Sequence, residues 1–401
     1  MPRLRVAGPP LLSALVVVSL ALAVAASSGS SSTRSTATGV PVPGALPDFT
    51  YQYNDTYRGW PLDPVTEQHP IRASFLDPRK PSDTGNYHIG IDISVRDDQV
   101  EPGAPAGRSH RVFAIEGGVA EVPADQKAVG CVNRLVTIGH FQYWHTDTVG
   151  TIVDGERIAP GQLIGWTCKG LWHVHLSEVQ TVDGVETYVN PLHTGMKLAP
   201  YSDTLPPVIH AISFYTPAFA GWQITNNTRW QPDAGRRLVP THLRGFVDVR
   251  AWIGDPQSFR GFFDSLPELY ADLHPYRVAI RLTRLSDKKV VFQQDVFQAD
   301  AFFETGLPAR GIPVIFDYHY APGEMENVPA FECENHLYVH QDRPTCQGVH
   351  WLRLFARSNG ADWDTTRYTD GAYRLDVTAW DAAGNRAEKS VRVVVANGKK
   401  R

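Results

Sequence analysis

A chain of 401 residues with 42% hydrophobic and 20% charged positions can bury a sizeable core and is long for one domain, so two are expected. Its 38 basic and 42 acidic side chains leave a formal net charge of -4. That excludes the broad basic field on which nucleic-acid binding rests.

Arg3 and Arg5 precede an apolar run from Leu11 to Ala25, which ends in the small-x-small triplet Ala23-Val-Ala25. Residues 1–25 are therefore expected to be a secretory signal cut before Ala26, which makes the product secreted or extracytoplasmic. A retained anchor is the alternative, although the run is short for a spanning helix. Residues 26–44 are rich in Ser, Thr, Gly and Pro and read as a flexible linker outside the fold.

The next informative segment is Tyr87-His-Ile-Gly-Ile-Asp-Ile93, where His88, Gly90 and Asp92 alternate with isoleucines. A period of two predicts a strand with one polar and one core face. Trp172-His-Val-His-Leu176 repeats the pattern, with His173, His175 and Ser177 set against Trp172, Val174 and Leu176. Among 15 histidines, either segment alone would be ordinary strand histidines. On adjacent strands the two together would bring His88, Asp92 and a histidine into one cleft. Two imidazoles and a carboxylate are the donor set of a catalytic zinc that keeps one position open.

From Tyr87 to His193 the chain resembles the lysostaphin-type (LytM-like) zinc metallopeptidases that cut peptidoglycan cross-bridges. The matching pieces follow that family's order: His88-Ile-Gly-Ile-Asp92, Val112-Phe-Ala-Ile-Glu-Gly-Gly-Val119, Tyr143-Trp-His145, Ile158-Ala-Pro-Gly-Gln-Leu-Ile-Gly165, and His173-Val-His175 with Asn190-Pro191 beyond. They cover about a quarter of the chain. The resemblance implies that His88, Asp92 and His175 are the zinc ligands. It makes His173 a base or proton shuttle and His145 a stabiliser of the oxyanion, with the reverse assignment open; imidazole suits both tasks. The substrate would be peptidoglycan or a glycine-rich peptide. The chain departs from the family before His-x-His, where Gly170-Leu-Trp172 replaces a small-residue turn and Trp172 would narrow the cleft. Some relatives lose ligands and act as non-catalytic regulators, so a cell-surface binding protein is the rival reading. Residues 45–86 could cover the cleft, with Asn54 as the residue to sit at the metal. His140 reads as structural or supporting, and His69, His110 and His193 as surface residues. Glu178 reads either as a group that orients a ligand or binds a substrate amine, or as a solvated strand-end acid.

The four cysteines fit an exported chain. Four allow three pairings, and local pairing, Cys131 with Cys168 and Cys333 with Cys346, is the simplest.

From about Pro206 short alternating segments follow one another: 208–215, 243–252, 276–284, 290–294, 348–358, 373–380 and 390–396, with turn clusters at 286–289 and 381–385. They predict an antiparallel sandwich, and the 371–385 ending is similar to bacterial immunoglobulin-like and fibronectin-like modules. Residues 259–273 carry helix-like apolar spacing interrupted by Pro267, so two short turns are the alternative. Trp230, Trp252, Trp351, Trp363 and Trp380 are assigned mainly to core packing rather than to a sugar platform. The expectation is thus an all-β protein and a monomer, with a peptidase domain over 45–200 and a β-sandwich over 206–397.

Overall fold

A computed structural model describes residues 51–77, 88–125, 130–182, 184–193, 195–217, 236–265, 272–303, 350–355 and 362–398. The expected signal 1–25, the linker 26–44, the Cys333–Cys346 pair and Trp230 lie outside them.

In the first half the alternating segments form β1 (Ile71–Ala73), β2 (Ile91–Ser94), β3 (Arg108–Phe113), β4 (Gly118–Glu121), β5 (Leu135–Ile138), β6 (Phe141–Trp144), β7 (Thr146–Asp147), β8 (Arg157–Ile158), β9 (Leu163–Cys168), β10 (His173–Val182) and β11 (Val185–Val189). The second half supplies β12 (Val208–Tyr215), β13 (Phe246–Gly254), β14 (Arg277–Arg284), β15 (Val290–Gln298), β16 (Ala301–Phe303), β17 (Trp351–Arg353), β18 (Trp363–Asp364), β19 (Gly371–Trp380) and β20 (Arg386–Val395). The protein is all-β with antiparallel sheets, as the period-two patterning predicts.

The largest sheet runs β1-β2-β10-β6-β5-β4-β8, with β11 on β10, and β3-β9-β7 form a small separate sheet. Ile91, Ile93, Val174 and Leu176 are fully buried, so the apolar halves of both metal-motif segments face one core. At about 25 cal/mol per Å² of apolar area, a one-residue slip of either strand would turn those side chains out and forfeit several kcal/mol. That burial fixes the register on which the site depends.

Two four-stranded sheets follow, β12-β13-β17 with β18 on β13, and β15-β14-β19-β20. Val247, Val249, Ala251 and Ile253 from one and Val278, Ile280, Leu282, Leu375 and Val377 from the other are buried in the same cluster, as in a sandwich. Trp351 and Trp363 are buried in it, Trp252 packs against it, and Trp380 is buried as well. The helix-like spacing at 259–273 does not yield a helix in the described part. Gly261–Asp264 is a single 3-10 turn, and Leu273 is instead a buried bridge partner of Asp255.

The junction expected at 200–206 lies between β11 and β12, yet the halves are knitted together across it. β16 adds to the large sheet beside β11. His274 Nε2 donates to the Phe75 carbonyl at 2.7 Å. The Gln257 amide bonds both the N–H and the carbonyl of Ile71, at 3.1 and 2.6 Å.

Candidate metal centre

β10 lies between β2 and β6, and the register sets His175 opposite Asp92 on one side and opposite Trp144 on the other. His88 sits two residues before Gly90, where the chain turns into β2. Gly90 is required by close approach: a Cβ there would lie 2.3 Å from the Leu176 carbonyl oxygen and 2.7 Å from His175 Nε2. Without that side chain the two strands close, and three donor atoms meet. His88 Nε2 is 2.7 Å from His175 Nδ1 and 3.0 Å from Asp92 Oδ1, and His175 Nδ1 is 3.1 Å from Asp92 Oδ1.

The outer nitrogens of both imidazoles are engaged. His88 Nδ1 donates to the Ser74 carbonyl at 2.8 Å, and His175 Nε2 lies 2.8 Å from Ser177 Oγ. In the neutral tautomers that donate outward, the inner nitrogens are lone pairs directed at a carboxylate. Three acceptors so close repel one another unless a cation lies between them. A tetrahedral zinc with bonds of about 2.0–2.1 Å needs its donors about 3.3 Å apart, near the triangle seen here. The residues therefore fit a zinc ion.

The two remaining histidines flank this triangle. His173 Nε2 is 3.6 Å from Asp92 Oδ1, and its Nδ1 donates to the Leu171 carbonyl at 2.5 Å. The His145 ring stands edge-on to His173 with centroids 4.8 Å apart, and its Nδ1 donates to the Val132 carbonyl at 2.5 Å. Each therefore presents Nε2 as its unprotonated nitrogen when neutral. Burial pushes the His145 imidazole down to about 4, with His175 adding to the effect. His173 is held well below the ordinary histidine range by burial, reinforced by Arg72. Burial alone would raise Asp92, but the neighbouring His173 and His88 outweigh it and keep the carboxylate ionised. All five sequence-predicted residues thus come together at one place.

The groups that hold them were not legible beforehand. A buried Asp97 accepts from the backbone N–H of Gly170 and Trp172, at 2.6 and 2.8 Å, and so fixes the tight turn that delivers His173. Trp172 adopts a left-handed φ of 61° in that turn and is half-buried. The buried Arg72 of β1 donates to the Leu171 carbonyl at 3.0 Å. Cys131 and Cys168 form the expected disulfide, anchoring the 3-10 turn Cys131–Asn133 whose Val132 carbonyl orients His145. His145 itself takes a φ of 63°, a conformation of non-glycine residues found where surrounding contacts impose it.

Three expectations are corrected. Asn54 does not sit at the metal triangle: it is exposed, and its Nδ2 donates to the Gly117 carbonyl at 3.3 Å. His193 is buried rather than at the surface, because its ring stacks on Tyr51 at 3.4 Å and its Nε2 lies 2.9 Å from the Tyr53 hydroxyl. Glu178 is not solvated: it is fully buried and accepts from Tyr53 and Gln180. Of the other two histidines read as surface residues, His69 and His110 are both half-buried. His140 pairs with Glu116 at 3.0 Å, which is a structural use.

No protein-family model, curated protein or solved structure matches this chain. The function rests on the geometry.

Proposed function

We propose that this protein is a secreted zinc metalloendopeptidase of the lysostaphin type, hydrolysing peptide bonds in peptidoglycan stems or cross-bridges. The single observation that carries the reading is the convergence of His88 Nε2, Asp92 Oδ1 and His175 Nδ1, with two neutral, non-ligand imidazoles beside it.

His88, Asp92 and His175 would hold the ion. Zinc supplies Lewis-acid chemistry, which makes water a nucleophile near neutral pH and polarises an amide carbonyl. The chain supplies the proton handling. His173 Nε2, unprotonated and close to Asp92, can accept the proton of the attacking water and pass it to the leaving amine. His145 spends its Nδ1–H on the Val132 carbonyl and, lying across from His173, would steady the developing oxyanion once its Nε2 has taken up a proton. Ser74 and Ser177 keep the ligand rings turned inward. The disulfide fits an oxidising, extracytoplasmic setting.

The test is release of soluble fragments from dye-labelled sacculi by the mature protein. Activity should vanish on chelation and return with one equivalent of zinc. Stoichiometric zinc with no release from any wall preparation would favour the rival reading, a binding protein that retains the zinc-site fold.

A further inference from the structure

A second set of metal-ligand side chains lies outside the histidine centre. Asp203, in the segment joining β11 to β12, Asp255, one residue past β13, and Asp381, one residue past β19, each place a carboxylate oxygen within 4.8 Å of the other two. Their exposures are 7, 6 and 2%, so three acids share a nearly dry space. Asp203 Oδ1 accepts from the backbone N–H of Leu205 and Ser258, while Asp203 Oδ2 is buried with no hydrogen-bond partner. Asp255 Oδ1 is likewise buried without one. Asp381 is held in place by the backbone and side-chain N–H groups of Asn385, whose amide also donates to the Asp203 carbonyl at 2.8 Å. Two orphaned acceptors inside a buried triad of acids cost several kcal/mol of repulsion and lost solvation unless a cation fills the space.

We propose that Asp203, Asp255 and Asp381 bind one calcium ion. The donors are all oxygen, which suits a hard cation and not the softer metals that imidazole takes. Three strand-end loops supplying carboxylates permit the variable distances calcium tolerates, whereas magnesium asks for a near-ideal octahedron. The ion would staple the inter-half segment to both sandwich sheets, since β13 and β19 belong to different ones. It would also act on the first site from a distance. Gln257, two residues beyond Asp255, grips the backbone of β1 at Ile71, and β1 pairs with the strand that carries Asp92.

The experiment is isothermal titration of calcium into the whole mature protein, stripped with chelator and reloaded with one equivalent of zinc, alongside Asp255→Asn and Asp381→Asn. His88→Ala serves as a control without the first site. One calcium should bind, with Kd on the order of 10⁻⁴–10⁻³ M as in extracellular modules, and raise Tm by about 2–4 °C at tenfold excess over Kd. His88→Ala should keep the response. The two asparagine variants should lose it while their calcium-free Tm equals or exceeds that of the wild type, because a buried like charge has gone. No calcium uptake by the wild type up to about ten times that range, an equal response to magnesium, or unchanged uptake by Asp255→Asn would overturn the proposal. Direct uptake by the wild type keeps the test decisive if a variant fails to fold.

Discussion

At the scale of single residues, the His145/His173 pair and the His140–Glu116 pair respond differently to pH. Burial keeps His145 and His173 neutral at pH 7, the state that the proposed proton exchange with water requires. Replacing His145 by Ala should lower kcat by about 10²–10⁴ while zinc stoichiometry, measured by metal analysis, stays at one. Loss of zinc with it would mean that His145 is a ligand. The His140–Glu116 pair is structural. The hydrogen bond to Glu116 raises His140 above its ordinary 6.5. Burial alone would raise Glu116, but the His140 side chain and the backbone N–H groups of His140 and Asn54 outweigh it and bring it below 4.5. Stability from a raised histidine is complete below 6.5 and is lost as pH rises through its folded value. Stability from a depressed carboxylate is complete above 4.5 and is lost as pH falls through its folded value. The pair should therefore contribute most between these limits. Denaturant unfolding should show a larger loss for His140→Ala at about pH 5.5 than at about pH 8. Equal losses at both would mean that packing, not charge, is what His140 supplies.

At the scale of elements, the site is the product of strand register, and that is why so much of it is legible. His88, Asp92, His173 and His175 declare themselves because a period of two separates them from isoleucine, valine and leucine that must be buried. Gly90 lies within the same motif, but its reason appears only once the Leu176 carbonyl is in place. Gly90→Ala should force β2 from β10, costing at least about 1–3 kcal/mol in stability and weakening zinc binding together. Unchanged zinc affinity would show that the strands can separate without disturbing the donors. What stayed hidden has physical causes. The Ser74 and Val132 carbonyls that orient His88 and His145 are backbone groups and leave no side-chain signature. The burial of His193 depends on Tyr51 and Tyr53, far away in the chain. The aspartate triad is scattered over three loops, so no spacing betrays it. Of the two readings open for 259–273, the described part takes the turn, with Gly261–Asp264 a 3-10 turn and Leu273 a bridge partner of Asp255.

At the scale of the molecule, the two halves act together. β16 extends the sheet that carries Asp92 and His175, and His274 and Gln257 bond the segment around β1. The sandwich therefore helps to support the edge of the site. Gln257→Ala would leave the Ile71 N–H and carbonyl unsatisfied, and denaturant unfolding should register a loss of about 1–3 kcal/mol. A neutral result would mean that water replaces the amide and that the halves are only loosely joined.

The central claim is that the His88–Asp92–His175 triangle makes this protein a zinc endopeptidase of the cell wall. Mass spectrometry of the products released from purified sacculi, by the zinc-loaded wild type and by His88→Ala, tests it most directly. New peptide termini made by the wild type alone are the expected result, and they name the bond that is cut. Identical termini from both proteins, or none from a wild type that carries one zinc, would contradict the account.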